Sequence, residues 1–170
     1  MIKIRQEAHD EYDEIGQVVK EAFDTAEHSD GNEHELVTAL RSSDAFVPEL
    51  SLVAVCDGKI VGHILFTKVK VGGTTQLALA PLSVLPGYQR QGIGTALIEA
   101  GHKKARESGY VYSIVLGSPA YYPKMGYVPA VRYGILPPFD VPSENFMACR
   151  LIENGPQVSG VVEYAKEFGI

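Results

Sequence analysis

The sequence predicts a mixed α+β domain on a single central, mostly antiparallel sheet of about seven strands flanked by helices. Three observations predict it. The middle of the chain alternates β-branched residues between tight-turn dipeptides, apolar residues recur at three-and-four spacing on either side, and one strand breaks through Pro86-Gly87 into a glycine-rich helix start.

Taken in order, Ile2 and Ile4 alternate as a short strand, and Ile15, Val18, Val19, Ala22 and Phe23 then fall on one helical face over about 9 to 26. A polar stretch over 27–32 precedes a second short helix marked by Leu36, Val37 and Leu40, which ends before Ser42-Ser43-Asp44. Phe46-Val47-Pro48-Glu49-Leu50 reads as loop. From Ser51 the pattern becomes β-rich: Leu52, Val53 and Val55, then Ile60, Val61, Ile64 and Phe66, with Asp57-Gly58 as a two-residue hairpin turn between them. Gly72-Gly73 makes a second such turn and leads into a third strand over 76–84.

Pro86-Gly87 ends that strand, and Ile93, Leu97, Ile98 and Ala105 predict a helix from Gly92 to about Ser108, closed by Gly109. A buried strand over 110–116, a short helix over 119–125, a strand over 126–131, a proline-rich loop (Pro137-Pro138, Pro142) and a strand over 146–152 follow. The chain reads as one domain over 1–170, with its core in 1–152 and a weakly patterned C-terminal extension over 153–170.

Composition excludes several classes. At 45% hydrophobic and 21% charged, the 170 residues suit an ordinary globular protein, and no run approaches the roughly 18 apolar residues of a membrane span. No secretory signal is read at the start, so the expected location is cytoplasmic, with no membrane partner. Cys56 and Cys149 lie in separate strand-like segments and read as reduced structural thiols. A formal charge of −6 with no dense basic face argues against nucleic acid. An anionic ligand would have to be held by local geometry.

The segment Val84-Leu85-Pro86-Gly87-Tyr88-Gln89-Arg90-Gln91-Gly92-Ile93-Gly94-Thr95 offers that geometry. A helix start leaves unpaired N–H groups and a partial positive charge, and Gly92 and Gly94 remove side chains that would block a pyrophosphate. The plain alternative is a tight turn whose glycines serve packing. The segment lacks the Gly-Lys-Ser/Thr ending of a P-loop and the third glycine of a Rossmann turn. Gln89-x-x-Gly92-x-Gly94, with Val84-x-Pro86 upstream, closely resembles the coenzyme A motif of the GNAT superfamily of N-acetyltransferases. Tyr121-Tyr122-Pro123-Lys124-Met125-Gly126-Tyr127 is similar to that family's later motif. Leu116-Gly117-Ser118-Pro119 and Ser51-Leu52-Val53-Ala54 resemble one group of small bacterial predicted N-acetyltransferases.

The resemblance covers roughly residues 1–152 and implies the acyl-CoA N-acyltransferase fold, with acetyl-CoA as co-substrate and a small-molecule amine or peptide as acceptor. It implies that the amides of Gln89, Arg90, Gln91, Gly92, Ile93, Gly94 and Thr95 wrap the pyrophosphate, and that Leu82, Ser83 and Val84 pair with the pantetheine arm. Gly117, Ser118 and Tyr121 would complete the cofactor site, Val84 N–H would face the oxyanion, and Tyr122 would be the catalytic residue facing the departing sulfur. Arg90, Lys103, Arg106 and Lys124 are candidate partners for the cofactor's charge, with Lys103 and Arg106 read as solvated surface. The chain departs from the superfamily where an Asn often follows the fifth strand, since Gly117-Ser118-Pro119 stands there.

A neutral amine must lose a proton, and Glu33, His34, Glu35 and Glu49 are the candidate bases; none is singled out. Asp24, Glu27, His28, Asp30, Glu33 and His34 match no tight ligand spacing, and no metal is expected. A non-catalytic acyl-CoA-binding module, or an acyltransferase with another donor or acceptor, remains as an alternative. The acceptor and the oligomeric state are not encoded legibly, a homodimer included.

Overall fold

The computed structural model describes residues 1–24 and 31–170. Its elements are β1 (Ile2–Gln6), α1 (Tyr12–Phe23), α2 (Glu33–Arg41), β2 (Phe46–Cys56), β3 (Lys59–Val71), β4 (Thr74–Val84), α3 (Ile93–Glu107), β5 (Tyr112–Leu116), β6 (Val128–Pro129), β7 (Ile135–Leu136), β8 (Phe146–Arg150) and β9 (Gly160–Glu163). A 3-10 turn, His9–Glu11, leads into α1. The expected end of the first helix near 26, and Glu27, His28 and Asp30 of the polar cluster, lie outside the described residues.

The sheet runs β1-β2-β3-β4-β5-β8-β6, antiparallel except where β4 meets β5. Both expected hairpin turns are present. Asp57 and Gly58 have φ of 49° and 81°, and Gly72 and Gly73 have φ of 55° and 80°. Two successive positive φ values give the turn whose twist matches paired strands.

Three expectations change. Residues 46–50 belong to β2 rather than to a loop, because Val47 and Leu50 are buried and Phe46 pairs with Thr67. Pro48, which has no N–H to donate, sits in the register shift between Phe46 and Ser51, where a ladder bond is not needed. The strand over 126–131 shortens to β6, since a 3-10 turn, Ala130–Tyr133, takes over after Pro129. The C-terminal extension supplies β9, whose Val162 is fully buried and pairs with Val71 at the end of β3, while β7 pairs parallel to β9. These short strands raise the count from about seven to nine.

Helices cover both faces. Leu97 and Ile93 of α3 contact Gly62 on β3, and Phe66 of the same strand presses its ring onto Gly101, so α3 covers the Gly62/Phe66 face. The opposite face carries His63 and meets α1 and α2. Ile15, Val19, Leu40, Ile64, Leu65 and Leu97 fill the two layers and are all fully enclosed.

Candidate active site

β4 and β5 pair only at Leu77↔Ser113 and Ala78↔Ile114. Beyond those pairs β4 runs on to Val84 and β5 to Leu116 with no further pairing, so the two parallel strands diverge into a gap. Leu85 N–H donates to Val61 O at 2.9 Å on the β3 side. Because successive peptide groups of a strand point to opposite sides, the N–H of Val84 points into the gap. Gln89 crosses over it and donates Nε2 to Val84 O at 3.0 Å, tying the end of β4 to the loop that follows.

That loop ends in a donor-rich turn. Arg90 holds φ of 63°, unusual for a residue with a side chain, and Gly92 holds 83° as the residue capping α3. The bond from Ala96 N–H to Gly92 O opens the helical ladder, which leaves the N–H groups ahead of it as the orphan donors of a helix start. Beside them a cleft of about 230 Å³ is lined by Leu82, Val84, Tyr88, Gln89, Arg90, Gly94 and Tyr121. Gly94 has no room for a side chain: a Cβ there would lie 2.7 Å from the Tyr121 hydroxyl. The structure thus gathers Leu82, Val84, Gln89, Arg90, Gly94 and Tyr121 in one place. It puts Ile93 to other use as a core side chain, leaving only its amide for a ligand.

Tyr121 and Tyr122 stand between α3 and the end of β5. Tyr121 Oη lies 3.4 Å from Thr95 Oγ1, and the Tyr122 ring packs edge-on against Tyr121 and Tyr127. The Tyr122 ring also occupies the space a Gly117 side chain would need, which places it at the open end of β5. Its hydroxyl has no hydrogen-bond partner among the described residues, yet it is not sealed from the surface. Burial, with Tyr121 beside it, pushes its pKa up to about 12. Such a phenol stays protonated and is available as a hydrogen-bond donor. Handing its proton to a thiolate of pKa near 8.5 would be uphill by about 5 kcal/mol.

The remaining candidates separate. Ser118 is exposed and Gly117 half-buried, and Gly117 is held at both ends by Asn145, which accepts its N–H and donates Nδ2 to its carbonyl. A side-chain amide therefore does stand at the end of the fifth strand, supplied by the loop before β8. Arg106 donates Nε to Leu151 O at 2.8 Å and is committed to structure, while Lys103 and Lys124 are exposed. Glu49 lies on β2 near Tyr110, at the end of β5 away from the gap. Glu33, His34 and Glu35 form the first turn of α2. Sequence reasoning missed Tyr88 in the cleft and Lys59, whose Nζ stands 6.0 Å above the Tyr88 ring. An aromatic inside Gly87-Tyr88-Gln89-Arg90 was a usable signal for the first; Lys59 arrives only through the fold.

The sequence model of the Acetyltransferase (GNAT) family matches residues 9–127, more than half of the chain. The chain belongs to the GNAT acetyltransferase family. Among relatives, the uncharacterized N-acetyltransferase YjhQ of Escherichia coli K12 is 39% identical over 127 residues, covering 72% of this chain and 70% of YjhQ. A GNAT-family acetyltransferase from Brucella melitensis, solved in complex with acetyl-CoA, is 33% identical with a TM-score of 0.82, covering 99% of this chain and 98% of that one. YhbS of Escherichia coli, a GNAT-family N-acetyltransferase solved with CoA, is 28% identical with a TM-score of 0.88, covering 99% and 92%. Both GNAT structures align through the C-terminal extension, consistent with β9 as part of the fold.

Proposed function

We infer that this protein transfers the acetyl group of acetyl-CoA to a primary amine of a small molecule or peptide by direct attack on the thioester. The observation that carries the reading is the gap between β4 and β5 opening directly beside the orphan amides at the start of α3. One ligand long enough to span both must carry an anionic group at one end and an extended arm able to pair with a strand edge. Acetyl-CoA is such a molecule, and the Brucella and YhbS structures hold acetyl-CoA and CoA.

In this reading the pyrophosphate meets the N–H groups of the turn at Arg90 and Gly92, where Gly94 leaves room for close approach. The arm lies along Leu82, Ser83 and Val84, and Gly117 and Tyr121 bound its other side. Val84 N–H, fixed by the strand before any reaction, faces the thioester oxygen and stabilises charge as it develops there. The amine nitrogen bonds to the carbonyl carbon, the carbon–sulfur bond breaks, and Tyr122 donates a hydrogen bond to the departing sulfur. Its free hydroxyl favours an enzyme over a binding module, because binding alone gives that group nothing to do. Both cysteines are free thiols, in keeping with a reducing cytoplasm.

The test is a thiol-release assay with acetyl-CoA against a panel of amines, amino acids and peptide N-termini, with coenzyme binding measured in parallel by calorimetry. Amine-dependent thiol release with matching acetylated product is the expected result. Binding without release for any amine would support the alternative of an acyl-CoA sensor.

A further inference from the structure

Beneath β4, on the face away from α3, lies a buried polar group that the reaction above leaves unused. Glu7 and Arg41 form a two-pronged ion pair at 2.9 and 3.0 Å, with Glu7 side-chain exposure of 4% and Arg41 of 8%. Fully buried His63 brings Nε2 to 3.3 Å from Glu7 Oε1 and 2.9 Å from Ser51 Oγ. A carboxylate only accepts hydrogen bonds, so Nε2 carries the imidazole proton and Nδ1 is left as a bare acceptor. Nδ1 has no partner among the described residues. Directly opposite His63 in the β3–β4 register stands Ser83, 1% exposed, whose hydroxyl is also unpartnered. Buried polar atoms in folded proteins are rarely left unpaired, and here two belong to residues directly opposite each other on adjacent strands, whose side chains share one face of the sheet.

Resting on the acetyl-transfer reading, we propose that Ser83 and His63 form the proton relay for the acceptor amine, with Glu7 and Arg41 as positioning residues. Ser83 sits between Leu82 and Val84, in the segment of β4 that borders the gap. Rotation about one bond swings its hydroxyl between the β3 side, toward His63, and the β5 side, where the gap opens. As the nitrogen–carbon bond forms, the amine nitrogen takes on positive charge and its N–H becomes acidic, so that its proton passes to Ser83 Oγ while the serine's own proton passes to His63 Nδ1. The imidazolium so formed faces the Glu7 carboxylate. The proton returns by the same hydroxyl and ends on the coenzyme sulfur, so the amide and the thiol account for every atom. None of the four candidate bases from the sequence, Glu33, His34, Glu35 and Glu49, is required.

The groups facing His63 are Glu7 from the segment after β1, Arg41 from α2, Ser51 from β2 and Ser83 from β4, with Tyr12 of α1 stacked on the Arg41 guanidinium at 3.9 Å. Burial lowers the His63 pKa below its usual 6.5, with Glu7 opposing and Arg41 adding to the shift. The imidazole is therefore neutral and able to accept at pH 7.

The decisive variants are S83A, S83T and H63Q, assayed at saturating acetyl-CoA from pH 5 to 9 beside calorimetric coenzyme binding and thermal melts. S83A removes an unpartnered hydroxyl, so its melting temperature should match wild type while kcat at pH 7 falls roughly hundredfold, the range of general base catalysis. S83T restores the hydroxyl and most of the rate. H63Q keeps a donor toward Glu7 but removes the acceptor, so the acid limb of the wild-type rate profile below pH 6.5 disappears. Wild-type turnover with S83A and H63Q retaining the full rate and that limb would overturn the relay alone. A wild type that binds coenzyme but acetylates no amine would overturn the acetyl-transfer reading, and the relay with it.

Discussion

Gly94 and Tyr121 meet so closely that a single added methyl on the glycine would lie 2.7 Å from the tyrosine hydroxyl. The contact joins the first turn of α3 to the turn that positions Tyr122, and it does so on the wall of the cleft proposed to hold the coenzyme. Gly94→Ala must push Tyr121 aside or fill the cleft. Coenzyme affinity should fall at least about tenfold, roughly 1.4 kcal/mol, by calorimetry. Far-UV circular dichroism should be unchanged, because alanine suits a helix better than glycine does.

Tyr122→Phe removes a hydroxyl that has no hydrogen-bond partner among the described residues and leaves the ring packing with Tyr121, Tyr127 and Gly117 in place. Stability and coenzyme affinity should hold within about twofold, while kcat drops at least about tenfold. Because the phenol's pKa is pushed up to about 12, the wild-type rate should show no loss from phenol ionisation up to pH 9. A fall that titrates near pH 8 would contradict the donor role.

Arg90 holds a left-handed φ of 63°, a conformation that costs a side-chain-bearing residue about 1 kcal/mol and glycine almost nothing. Arg90→Gly should therefore leave urea stability unchanged or raise it by up to about 1 kcal/mol. It should also weaken coenzyme binding and flatten its dependence on salt, because the cation lining the cleft is gone. Opposite signs for stability and affinity in one substitution identify strain kept for a ligand.

How much of this was legible follows from the range of each signal. Asp57-Gly58, Gly72-Gly73 and Gly92 ahead of α3 act through their own φ angles, so these turns could be read locally. Gly62 and Gly101 gave no such signal, since what they accommodate is α3 and the Phe66 ring, brought by the fold. β9 escaped because four residues pairing with the end of β3 need no periodicity of their own. The Glu7–Arg41–His63 group joins Glu7 to Arg41, 34 positions on, and to His63, farther still, and in sequence each looks like an isolated surface charge or a strand histidine.

Acid should unfold the protein in two stages, and the sign of each follows from which form the fold prefers. His102 is buried beside Tyr127, its Nε2 3.0 Å from the tyrosine hydroxyl, and burial with nearby Arg106 lowers its pKa from 6.5 to about 4. An unfolded chain takes up this proton near pH 6.5 while the folded one resists until about 4, so stability is full above 6.5 and declines through that window. The loss is at most about 3 kcal/mol. His63 is shifted the same way and adds to the first stage. Glu7 is held down to about 2: burial alone would raise it, but hydrogen bonds from His63, Arg41 and Ser51 outweigh that. Its contribution is present above the unfolded value of 4.5 and is lost as pH falls toward 2. Urea unfolding at half-unit intervals from pH 8 to 3 should show stability flat above 6.5 and falling continuously below it. In His102→Gln the slope between 6.5 and 4 should shrink while the decline below 4.5 remains, because one of the two buried imidazoles has been removed. Equal slopes in the two proteins would mean that His102 titrates normally in the folded state.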